Sequence, residues 1–131
     1  MDKTQILRAF NDHFQEFMDD VLRVFPNDRE LRTVANALGS MRKANPKLMH
    51  GVFLERIVRP YRSAIDKGDP NFFVDKNWTD DVSDNQLASK GVVLNKIERM
   101  RGSVKRMRGE DQRKSMRYIQ NLAKIAELYE S

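Results

Sequence analysis

The sequence has no cysteine, which excludes thiol nucleophiles, disulfide frameworks and cysteine-held zinc. Histidine occurs only at His13 and His50, without a second histidine near either, so metal ligation and histidine-based acid–base chemistry have little to work with. Phosphate-cradling GxxxxGK[ST], dinucleotide-type GxGxxG, HExxH and GxSxG are all missing. The paired carboxylates Asp19-Asp20 and Asp80-Asp81 are adjacent in sequence and point in different directions, so neither forms a converging acid/base pair. Asp75, Asp80, Asp81 and Asp84 lack the spacing, central glycine and terminal glutamate of a calcium loop. No apolar run approaches the roughly 20 residues of a membrane-spanning helix. The start, MDKTQILRAFNDHF, carries charges early and no continuous apolar core, so it does not read as a signal peptide. These absences predict a non-enzymatic protein with no metal, no cofactor and no membrane span.

What is present is charge and helical periodicity. The chain of 131 residues is expected to be a single domain, residues 1–131, long enough to build a core without a staple. Its net charge of +5 is unevenly spread. Residues 41–68 carry +5 and 90–131 carry +6, while 1–40 carry −2 and 69–89 carry −4. Two basic segments divided by an acidic one can attract nucleic acid, an acidic protein or another copy of the chain.

Apolar residues recur at three- and four-residue steps in nearly every segment, and alternating runs are absent, so the expected fold is all-α. Ile6, Phe10, Phe14, Phe17, Val21 and Leu22 mark a helix ending near Val24, because Pro26 pushes its predecessor out of the helical region. Asp12, Glu16, Asp19 and Asp20 are expected to face away from the core. Asn27 with Glu30 resembles a capping box for a second helix, about Asp28 to Lys43, burying Leu31, Val34, Ala35, Leu38 and Met41. Gly39 inside it suggests close approach by a neighbour. The organising stretch runs from Asn45 to Trp78: Leu48, Val52, Phe53, Ile57, Tyr61 and Ile65 form one stripe, with a kink expected near Val58-Arg59 before Pro60. Gly68 ends it. A long helix from about Asp84 to Arg108, with seam Val93, Ile97, Met100, Val104 and Met107, then meets a last one from about Glu110 to Tyr129. The expectation is a compact bundle of about five helices, the last two forming an antiparallel hairpin at Gly109.

Three groups stand out as candidate contact residues. Between Lys96 and Arg117 there are nine Lys or Arg against three acids, and Arg101, Lys105, Arg108, Arg113, Lys114 and Arg117 could meet phosphates or an acidic partner. No aromatic residue interleaves them, so base stacking is not indicated. Arg56, Arg59 and Arg62 recur at three-residue steps and would share a helix face. Phe72, Phe73 and Trp78 would plug one end of the core or form a partner-binding patch.

The strings FNDHFQEFMDDVLRVFPND, RKANPKL, VRPYRSAIDKGDPNFFVDKNWTDD and MRYIQNLAKIAELY span nearly the whole chain. In Phe25-Pro26, Asp28-Arg29-Glu30-Leu31, Arg42-Lys43-Ala44-Asn45-Pro46-Lys47, Gly68-Asp69, Phe72-Phe73 and Lys76, taken in that order, the sequence resembles a small family of uncharacterised helical proteins of nucleocytoplasmic large DNA viruses (phycodnavirus- and mimivirus-like). The resemblance implies a viral context, in the virion or in host cytoplasm or nucleus during infection, and carries no activity or functional residue with it. The expected function is a structural or interaction protein, such as a minor capsid or core-associated component, whose partner is itself or another virion protein. The alternative is a nucleic-acid-associated accessory protein using the basic 96–117 surface.

Overall fold

The computed structural model describes residues 2–70 and 89–130, the side chains of 89, 90 and 130 excepted. Six α-helices lie among the described residues, with no strand: α1 (Lys3–Val24), α2 (Arg29–Ala44), α3 (Pro46–Phe53), α4 (Arg62–Lys67), α5 (Ser89–Lys105) and α6 (Gly109–Glu130). The all-α bundle expected from periodicity is what forms.

Local chemistry sets the helix ends. Asp2 caps α1 by accepting from the Gln5 N–H at 2.8 Å, and the Gln5 side chain returns the favour to the Asp2 N–H at 3.0 Å. For α2 the cap is Asp28, not Asn27: its Oδ1 accepts from the Leu31 N–H at 3.0 Å. The shift is physical, because a capping side chain must reach the N–H three residues on, and the helix starts at Arg29. Gly68 closes α4 in the left-handed region, φ 69°, where glycine carries no Cβ penalty.

The expected kink before Pro60 becomes a full interruption. After α3 the backbone widens into a π-turn, Leu54–Val58, in which the Arg59 N–H donates to Leu54 O at 3.0 Å. Pro60 has no N–H to continue the ladder, and its ring crowds the carbonyl one turn back. The chain turns and restarts as α4.

The core is one cluster centred on α3. This short helix touches α1, α2, α5 and α6, and its Met49, Val52 and Phe53 are all but inaccessible. Phe10 of α1 meets Phe53 edge-on, ring centroids 5.6 Å apart. Around that hub α1 lies along α6, and α2 along α5. Contacts run in opposite directions in sequence, His13 and Phe17 on Tyr118 and Arg23 on Asp111, so α1 and α6 are antiparallel. Asp28 on Arg106 and Glu30 on Arg99 place α2 antiparallel to α5 in the same way.

The seam Val93, Ile97, Met100, Val104 and Met107 is buried as expected, as are Met116, Ile119, Leu122, Ala123 and Ala126 of α6. Near the reversal between α5 and α6, the Gln112 side chain donates to Val104 O and Lys105 O, and Ser115 lies on Met107. Each of the two helices packs more extensively elsewhere, α5 on α2 and α6 on α1. Gly39 is not demanded by packing: a Cβ there would meet only Gln15 Oε1, at 3.9 Å.

Candidate interaction surface

The six cations singled out between Arg101 and Arg117 divide into two groups. Arg101 is buried, 8 % exposed, and its Nε donates to Glu98 Oε2 at 3.0 Å, one turn back on α5. Lys114 lies on the α1-facing side of α6 and donates to Asp20 Oδ1 at 2.9 Å. Neither is available to a ligand without dismantling an internal pair. Lys105, Arg108, Arg113 and Arg117 are exposed, with no ion pair among the described residues. Lys105 and Arg108 flank the reversal, and Arg113 and Arg117 occupy successive turns of α6. Continuing along that outward face come Asn121, Lys124 and Leu128, all exposed, at helical steps from Arg117.

The expectation for Asp20 is overturned. Instead of facing away with Asp12, Glu16 and Asp19, it is 8 % exposed and accepts from both Arg23 Nε, at 3.1 Å, and Lys114. A buried carboxylate needs such partners. The Asp20 hydrogen bond also tightens the hold of Arg23 on its proton, with Asp111 adding to it. The other three acids stay exposed on the outward side of α1, between Arg8 and Arg23: Asp12 lies 3.9 Å from Arg42 of α2, Glu16 meets His13, and Asp19 accepts from the Gln15 amide at 2.9 Å. Because α1 lies along α6, this acidic row and the basic row of α6 occupy neighbouring helices.

The arginine triplet is split by the interruption at Pro60. Arg56 is half-buried and Arg59 exposed, while Arg62 starts the next helix and pairs with Asp66 at 3.1 Å and with Glu127 of α6. The three do not form one face. Phe72, Phe73 and Trp78 lie outside the described residues.

Both histidines are packed against aromatic rings. His50 is buried, its Nε2 3.0 Å from Ala126 O and its ring against Phe10 and Tyr129. His13 lies over Tyr118, centroids 5.0 Å apart, with Nδ1 3.2 Å from Glu16. No group of three or more His, Asp or Glu able to hold a metal occurs among the described residues, and no described helix is long and apolar enough to cross a membrane. A groove of about 280 Å³ beside α1 has Arg8, Asn11, Asp12, Arg42 and Lys43 in its walls. Arg42 is held there by Gln15 Oε1 at 3.3 Å.

The described residues form an all-α bundle with exposed acids along the middle of α1 and exposed cations along α6. No family model, no curated protein and no solved structure matches it.

Proposed function

We propose that the protein is a non-enzymatic interaction protein that docks an acidic protein surface through Lys105, Arg108, Arg113 and Arg117. Following its resemblance in sequence, we place it among virion components. The observation that carries the docking reading is the pair of stripes. Exposed Glu16 and Asp19, with Asp12 turned to Arg42, lie on the helix beside the basic stripe. A continuous phosphate backbone laid along α6 would feel those carboxylates as well as the arginines. A protein partner can match both signs locally.

A short duplex of arbitrary sequence is the probe that tests this reading. Retention should be weak and vanish near physiological salt. Tight binding with a log–log salt slope of about −3.6, the value for four phosphate contacts, would establish the nucleic-acid alternative instead. Mass spectrometry of purified particles against infected-cell extract tests the virion assignment; a chain found only in the extract overturns it.

A further inference from the structure

The geometry points to a second copy of this chain as the partner, in a two-fold dimer that lays the α1 stripe of each copy on the α6 stripe of the other. The inference rests on the docking role just proposed for the basic face and names its occupant.

A surface carrying one negative and one positive stripe side by side is complementary to itself. A two-fold axis parallel to α1 and α6, running between them and just outside, carries acid onto base twice. That operation leaves height along the helices unchanged, so the internal contacts fix the register. His13 and Phe17 both meet Tyr118, and Lys114 meets Asp20. Glu16 is therefore level with Arg117, and Asp19 lies near the level of Arg113. Across the axis Glu16 meets the partner's Arg117, and Asp19 comes within reach of the partner's Arg113. Asp12, already paired with Arg42 of its own copy, falls opposite the partner's Asn121, an uncharged position. At the far end the sequence from Lys3 on Tyr129 to His13 on Tyr118 brings Arg8 level with Lys124, a like-charge meeting.

The contact is thus favourable at one half of the helix pair and mildly opposed at the other. Exposed pairs of this kind are individually weak and screened by salt, so the dimer is a low-salt, concentration-dependent species rather than an obligate one.

Sedimentation equilibrium over a concentration series, at low and at physiological salt, tests the proposal, with helicity by circular dichroism confirming that each variant is folded. Glu16→Arg alone and Arg117→Glu alone should each weaken dimerisation by about tenfold, since each places like charges opposite one another twice. An equimolar mixture of the two variants should regain wild-type association, because both cross-pairs are then opposite in sign. Lys124→Glu should strengthen dimerisation by about fivefold through pairing with the partner's Arg8. A protein monomeric throughout at low salt, a mixture that stays dissociated, or a Lys124→Glu variant that associates less would each overturn the proposal. The last sign is the discriminating one, since an unrelated acidic partner is weakened by Lys124→Glu. A monomer that binds duplex DNA tightly overturns the broader docking reading as well, whereas a monomer without DNA affinity overturns self-docking alone.

Discussion

Arg101 and Arg113 carry the same side chain in opposite circumstances, and their neighbours decide what each can do. Arg101 is buried against Glu98, so Arg101→Glu would set two carboxylates together in a site with little water. Breaking a buried pair of this kind costs about 3–5 kcal/mol. Arg113→Glu and Arg117→Glu, on the exposed stripe, should change stability by no more than about 0.5 kcal/mol. Urea denaturation of the three variants checks the contrast. Asp28 offers a pH test at the same scale. The Leu31 N–H and, after it, the Arg106 guanidinium hold its carboxyl below the usual aspartate value of 3.8. A depressed folded value means that the stabilisation is present above the unfolded value and lost as pH falls through the folded one. Asp28→Asn keeps a good capping side chain but loses the charge, so it should be less stable than wild type at neutral pH. The gap should close below the ordinary aspartate range; thermal midpoints at neutral and acid pH decide it. The sequence showed that cations crowd 96–117, but not which of them are consumed. That depends on where Glu98 and Asp20 lie in three dimensions, and Asp20 looks in sequence like its exposed neighbour Asp19.

Helix periodicity was legible because it records burial directly: the apolar stripes of α1, α2, α5 and α6 are the buried faces, and their order along the chain follows. The stretch from Asn45 to Gly68 was harder, since one apolar stripe continues through Val52, Ile57, Tyr61 and Ile65 although the backbone does not stay helical. A π-turn keeps side chains on the buried side while changing the helical phase, which disguises the break in an apolar pattern. Arginines on the outward side have no such constraint, so Arg56, Arg59 and Arg62 part company. Glycines give the test at this scale. Gly68 combines φ 69° with a would-be Cβ 2.7 Å from Gln120 Nε2, and that amide donates to Ile65 O at 3.0 Å. Gly68→Ala should therefore cost about 1–2 kcal/mol from the left-handed backbone alone. Gly51, inside α3, has nothing within 4 Å of a would-be Cβ. Gly51→Ala should stabilise by about 0.5–1 kcal/mol, because alanine loses less backbone freedom in a helix. Opposite shifts in thermal midpoint are the expected result.

At the scale of the molecule, a helix of eight residues holds four longer ones together. Phe53 is almost wholly buried there, so Phe53→Ala should cost about 3–5 kcal/mol. Because α3 contacts every long helix, the loss should appear as one cooperative transition by circular dichroism and by calorimetry alike. Separate transitions would mean that the hub does not couple the helices. The sequence identified this stretch as the organiser from its apolar density. It did not show which helices it joins, because pairing between distant segments leaves no periodic trace.

The antiparallel seam of α1 and α6 has a kinetic consequence. It joins residues as far apart in sequence as Arg23 with Asp111 and Lys3 with Tyr129. Helical bundles usually fold fast because their contacts are local, each helix docking on the next in sequence. Here α1 can dock on α3 early, but its longest seam must wait for α6. Closing so long a loop before any seam contact forms gives up chain entropy early and regains it late, which places this chain with the slower folders of its class. During synthesis Phe10 can meet Phe53 of α3 early, whereas Phe17 would stay without Tyr118 until about 100 residues later.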